Sequence, residues 1–312
     1  MRATDNSRMR TGARGVCAWA IFSAALCCGV PFAFAQDVAQ DSNAPNLPRM
    51  HADPKEALLD SGFRHLYELD FQAARTDFTE YQKAAPNDPM GKSAEAASYL
   101  YEQFNAKGVL SSEFFLNDDT FLGGVNGKPS QNENPLFLKT NQQAREMAKQ
   151  QLKSNPHDTR ALLAITIADG MESDYDAIIQ KKQFPALGMM RQAESEAATL
   201  LAADPNAKDA DVALGMSNYI IGSMPAYKKA FLWFGGVHGD KQHGMELMQV
   251  AADDGDYLRP FAKVLLALAL EREHQNDRAR VLLSQLAVEF PANPRFAREL
   301  ALLDQQQPCC KR

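Results

Sequence analysis

The densest group of residues able to do chemistry lies between Pro225 and Gly244. There Phe231-Leu232-Trp233-Phe234 runs into Gly235-Gly236-Val237-His238-Gly239-Asp240-Lys241, with Gly244 just beyond. A glycine-rich turn that opens a helix could offer its free N–H groups to an anion. A phosphate loop, however, needs Gly-Lys-Ser/Thr at fixed spacing, and Asp240 intervenes here and would repel phosphate. The plainer reading makes Gly239 the turn, Asp240 the helix cap and Gly244 a small contact residue. A second group is acidic: Asp169, Glu172, Asp174 and Asp176 surround Gly170. Paired carboxylates could act as acid and base, although a solvated helix end or loop is the usual explanation. A third group, in the stretch from Gly108 to Asn134, sets Phe114, Phe115, Leu116, Phe121 and Leu122 around Asn117-Asp118-Asp119. Three phenylalanines in eight positions do not suit a solvated loop, so this stretch is either a lid that buries its own aromatics or a loop that faces a ligand or partner. A calcium loop would need alternating oxygen ligands and a distal Glu, which are missing.

Other chemistry finds little support. The six histidines, at 51, 65, 157, 238, 243 and 274, form no His-Glu-x-x-His pair and have no cysteine companions, so no metal is expected. No Gly-x-Ser-x-Gly anchor is present for a serine nucleophile. The expectation is therefore a protein that is not an enzyme, with no catalytic residue and no cofactor.

These groups need a scaffold, and the spacing of apolar residues describes one. Ala279, Leu282, Leu283, Leu286 and Phe290 recur at i, i+3, i+4, i+7 and i+11, and Leu58, Leu59, Phe63 and Leu66 behave alike. Period-2 alternation is scarce, so the fold is expected to be all-α. Asp53-Pro54, Asp88-Pro89, Asn134-Pro135 and Asn293-Pro294 each set an N-cap residue before proline at the first helical position. Glu56, three residues after Asp53, nearly completes a capping box. The runs Ala161–Ile167 and Val264–Leu270 are too short to cross a membrane and read as buried helices.

Proline also recurs in four similar phrases, Ala85-Pro86-Asn87-Asp88, Asn155-Pro156-His157-Asp158, Asp204-Pro205-Asn206-Ala207 and Phe290-Pro291-Ala292-Asn293. Counting back from Pro86 puts Leu58, Gly62, Ala74 and Phe78 at the signature positions of a 34-residue repeat, with His65 where Tyr is usual. Pro291 gives Ala267, Leu270, Ala279 and Leu283; behind Pro156 and Pro205 the small positions are Ala144 and Ala193. On these residues the chain resembles the tetratricopeptide-repeat superfamily. The resemblance implies antiparallel helical hairpins that meet at a small residue and stack because no hairpin buries its apolar face alone. The marker prolines stand 70, 49 and 86 residues apart. The period is therefore interrupted, with excess near 107–133, 170–185 and 223–239. We expect a tetratricopeptide-like α-solenoid over 53–305 with five hairpins, about 54–85, 90–154, 158–203, 207–254 and 258–290. A helix from Pro294 to Gln305 should cap the open end. The text Gly236-x-x-Gly239-Asp240-Lys241-x-x-Gly244 is also similar to a signature of the tetratricopeptide repeat protein 39 and fungal inclusion-body-clearance family, which implies a shared repeat geometry.

The N-terminus speaks to compartment. Arg2, Arg8, Arg10 and Arg14 precede an apolar run from Val16, and Ala33-Phe34-Ala35 ends it, so a signal peptide cleaved after Ala35 is expected. The protein would then be periplasmic or secreted. Residues 1–35 carry four Arg and one Asp, so their removal takes the net charge from −6 to −9 over 277 residues. With a pI near 5.6 this argues against nucleic acid as a partner. Cys17, Cys27 and Cys28 leave with the signal. Only the adjacent Cys309 and Cys310 remain, in a tail expected to be flexible over 306–312, so stability must come from packing. A disordered lead-in is expected over 36–52.

Of two functions weighed, the first is the expectation: protein–protein interaction or scaffolding in the cell envelope. A stack of hairpins presents a concave groove to another envelope protein or peptide, which makes the chain an interaction module. Alternatively, the aromatic insertions close a pocket over the groove for a small apolar or amphiphilic ligand. The residues expected to face partner or ligand are Phe114, Phe115, Phe121, Tyr219, Trp233, Phe234, Gly239 and Asp240. After cleavage no integral membrane segment is expected, and the oligomeric state is open.

Overall fold

Side-chain caps start the helices. Asp53 accepts a hydrogen bond from the Lys55 N–H, Asp88 from Met90, Asn134 from Phe137 and Asn293 from Arg295, at 2.8–3.1 Å. In each case proline follows, at a position whose own N–H would have no helical partner. The computed structural model describes residues 51–126, 133–224 and 238–305, and they form no strand. In order the helices are α1 (Pro54–Tyr67), α2 (Phe71–Ala84), α3 (Pro89–Ala106), the short α4 (Ser112–Leu116) and α5 (Asp118–Gly123), and α6 (Pro135–Ser154). There follow α7 (Thr159–Asp174), α8 (Gln183–Ala203), α9 (Ala210–Ser223), α10 (Lys241–Asp254), α11 (Arg259–Arg272), α12 (Asn276–Glu289) and α13 (Pro294–Gln305).

Long helices pack in consecutive pairs: α1 with α2, α3 with α6, α7 with α8, α9 with α10 and α11 with α12, while α13 packs on α12. The all-α expectation holds, and the pairs fall on the five expected spans. Small residues make the approach possible. A Cβ on Gly62 would lie 2.3 Å from the Phe78 ring, and one on Gly244 would lie 2.6 Å from the Tyr219 nitrogen. Ala74, Phe78, Ala144, Ala193, Ala267, Leu270 and Ala279 are buried. Two of the tight turns within pairs, α1–α2 and α11–α12, each rest on one residue with left-handed backbone, Leu69 (φ 64) and His274 (φ 59).

Three expectations need correction. The excess expected near 170–185 is no separate insertion: α7 runs into a π turn at Tyr175–Ile179, and Gln180 donates its N–H back to the Tyr175 carbonyl. The lead-in expected over 36–52 overlaps described structure at its end, where the His51 N–H donates to Asp60 at 2.7 Å and its ring pairs with Asp60 and Asp256. Finally, the expected acidic cluster is not simply solvated. Asp169 is fully buried and ion-paired with Arg145, and Glu172 accepts from the Asn141 amide at 2.9 Å. The expected signal peptide, most of the expected lead-in and the tail that carries Cys309 and Cys310 lie outside the described residues. Among the described residues no helix is long and apolar enough to cross a membrane.

Candidate functional site: a cavity closed by the first and last pairs

The row of pairs does not end in two free faces. Tyr257, in the turn between α10 and α11, donates its phenol to Glu56 of α1 at 2.6 Å and accepts at its carbonyl from the Tyr67 hydroxyl at 2.8 Å. Its ring stacks on Phe63 with centroids 5.1 Å apart. Arg160, at the start of α7, pairs with Glu56 and Asp88, each at 2.9 Å. Asn293 donates to the Tyr67 carbonyl at 2.8 Å, and Arg295 donates to Asn105 at the end of α3, also at 2.8 Å. The insertion after α3 joins in: Ser112 donates to Glu299 of α13, and Arg272 donates to the Phe115 carbonyl. Charge-assisted and ring contacts thus tie the first pair, the insertion and the last pair together.

Inside this closure lies a cavity of about 240 Å³. Its wall is mostly apolar, with Phe63 and Leu66 from α1, Tyr101 and Phe104 from α3, Ile167 and Met171 from α7, and Met190 from α8. Val212 and Met216 of α9, Phe261, Leu265 and Leu268 of α11, and Phe296 of α13 complete it. Methionine here lends an adaptable surface. Gly170 also lines the space, and a Cβ built on it would meet no atom within 4 Å. Glycine at that position widens the cavity.

Few polar groups face inward, and they differ in how well they are partnered. Asp209 accepts the backbone N–H groups of Asp256, Tyr257 and Leu258 at 2.7, 3.0 and 3.1 Å. Burial and then the charge of Asp256 push its carboxyl up to about 6, against the pull of those donors. Arg295 is taken up by Asn105 and the Leu110 carbonyl. Asp174, the last residue of α7, meets no donor among the described residues, and burial pushes its carboxyl up to about 7. Glu271, in the last turn of α11, is 8 % exposed and likewise meets no donor there. Burial, and then the charge of Glu299, push it up to about 7. The Thr166 hydroxyl is also buried, without a partner among the described residues.

Of the residues expected to face a ligand or partner, Phe115 does line the cavity. Phe114 meets its ring edge-on at 5.4 Å. Tyr219 is buried at a side niche of about 20 Å³ that it shares with Phe115, its hydroxyl 3.4 Å from both the Ala269 carbonyl and Glu273. Gly239 packs where a Cβ would come within 2.5 Å of Ile221, and Asp240 caps α10 by accepting from the His243 N–H at 2.8 Å. Those two positions therefore serve the joint between α9 and α10. The Phe121 side chain, Trp233 and Phe234 lie outside the described residues. Among the described residues no group of His, Cys, Asp and Glu is placed to hold a metal.

Sequence reasoning missed Glu271 and took Asp174 for part of a solvated cluster, although the signal was present. Phe261, Val264, Leu268 and Glu271 share one helical stripe, as do Ile167, Gly170, Met171 and Asp174. An acidic residue that continues an apolar stripe points inward with it. No protein-family model matches the chain, and no curated protein does.

Proposed function

We propose that this chain binds one small molecule with an apolar body inside the closed ring of helix pairs. The observation that carries the reading is the closure itself: side chains of α1 and α3 bond to the α10–α11 turn and to the segment from Asn293 to Glu299, around a mostly apolar space. A cavity of about 240 Å³ approaches the lower end of ligand sites, roughly 300–1,000 Å³. Repeat helices of tetratricopeptide type, exported to the periplasm or beyond, would then serve as a container. The alternative, docking of an envelope protein or peptide, draws support from exposed apolar side chains, chiefly Phe184 at 80 % and Val288 at 63 %. Exposed apolar side chains are common on protein surfaces, so they favour docking only weakly.

Gly170→Leu tests the reading. The new side chain has open space to enter, and leucine favours helix over glycine by roughly 0.8 kcal/mol, so the fold should persist. Medium-chain alcohols should raise the melting temperature of the wild type, because a ligand that binds only the native state stabilises it. In Gly170→Leu the shift should vanish. No shift in the wild type, or an equal shift in the variant, would overturn the proposal.

A further inference from the structure

The polar groups of the cavity wall point to one kind of head group. Glu271 is more than nine-tenths buried, lines the cavity, and has no hydrogen-bond or ion-pair partner among the described residues. Its charged neighbour is another carboxylate, Glu299, which already accepts from Ser112. Asp174 lines the same cavity without a donor among the described residues. The cation on the wall, Arg295, has its guanidinium engaged by Asn105 and Leu110.

Topology places the two unpartnered acids at one end. The helices α1, α3, α7, α9 and α11 each open a pair and so run in the same direction. The pairing supports this: the start of α6 meets the end of α3 through Asn134 and Gln103, and the start of α10 meets the end of α9 through Lys241 and Gly222. Asp174 ends α7 and Glu271 lies in the last turn of α11. Both therefore lie toward the C-terminal ends of these parallel helices, with α7 running on through its π turn to Ile179.

Resting on the reading of the cavity as a ligand site, we propose that the molecule it takes is a cationic amphiphile, an aliphatic chain with an amine head paired to Glu271. Such a head supplies the donors that the buried carboxylate lacks, whereas a carboxylate or phosphate head would meet Asp174, Glu271 and Glu299 with like charge. The apolar walls of α1, α9 and α11 receive the chain. The raised proton affinity that burial confers on Glu271 and Asp174 fits the same picture, since a cation beside either carboxyl would favour its ionised form.

Calorimetric titration with decylamine, 1-decanol and decanoate, each below its micellar concentration at pH 7.5, tests the proposal. Decylamine should bind at least tenfold more tightly than decanol, with decanoate weakest. Glu271→Gln should abolish the advantage of the amine over the alcohol while leaving alcohol binding within about twofold. Should that variant fail to fold, Asp174→Asn should reduce the same advantage. Decanol or decanoate binding as tightly as the amine would overturn the amine assignment and leave the cavity reading intact. An undiminished amine preference in Glu271→Gln would remove Glu271 as the head-group partner. No binding of any of the three would overturn both readings.

Discussion

Two flanks of α11 treat buried charge in opposite ways. Toward α12, Arg259 and Lys263 converge on Glu289 at 2.7 and 3.2 Å, with all three side chains about 3 % exposed. Toward the cavity, Glu271 has no cation and no donor among the described residues. The first arrangement makes a joint, because each charge has a partner and the carboxylate sits between two cations. Lys263 nevertheless has its pKa lowered, chiefly by burial, which shows that desolvation is incompletely offset even there. The second leaves an acceptor unfilled at the cavity wall, as at Asp174, and among the described residues neither carboxyl makes a contact that joins two helices. The contrast separates residues that hold the ring shut from residues that face whatever the ring encloses.

The largest effect should come from breaking the joint. Glu289→Ala removes the carboxylate on which the buried Arg259 and Lys263 converge, and a loss of about 3–5 kcal/mol is expected from urea denaturation. A loss below about 1 kcal/mol would show that water reaches the pair. Next comes Asp209→Ala. It strips the acceptor from three N–H groups in the turn that carries Tyr257, at an expected cost of about 2–3 kcal/mol. Because Tyr257 is a closing contact, this variant should also bind alcohols more weakly; unchanged binding would mean that the closure does not depend on that turn.

Much of the joint-making half was legible before any coordinates. The caps at Asp53, Asp88, Asn134 and Asn293, and the small residues at Gly62, Ala74 and Ala279, are local signals that depend on neighbours three to five residues away or on one facing helix. Gly62 is the sharpest case, and Gly62→Ala should cost about 1–3 kcal/mol, since its Cβ would press into the Phe78 ring. Closure was not legible in that way. Tyr67 meets Tyr257 across 190 residues, and Arg295 meets Asn105 across the same separation, with nothing local to announce either contact. An open concave groove followed from regular stacking. The observed ring needs in addition that the last pair reach the first. The inward acids could have been found from their places on apolar stripes, but the clustering of Asp169, Glu172, Asp174 and Asp176 drew attention to sequence proximity. In the structure Asp169 and Glu172 turn to α6 while Asp174 turns to the cavity.

The smallest expected effect is also the one that best tells the two flanks apart, because it changes sign. Asp174 binds its proton more tightly in the folded chain, near pH 7, than at its ordinary value of 3.8. Between those limits the native state holds more protons than the unfolded one, so stability falls as pH rises through the window and levels off above it. Glu271 acts in the same direction from 4.5 to about 7. An amide cannot ionise, so Asp174→Asn should remove its share of that decline. The variant should match the wild type near pH 4 and exceed it at pH 8 by about 1–2 kcal/mol, since one pK unit corresponds to about 1.4 kcal/mol and partial hydration of the cavity reduces the whole. Asp209, Glu299 and Arg295 on the same wall are unchanged in both proteins, so the difference between the two curves isolates one carboxyl. A variant less stable than the wild type at every pH would assign Asp174 to the joint instead, as a carboxylate the fold relies on.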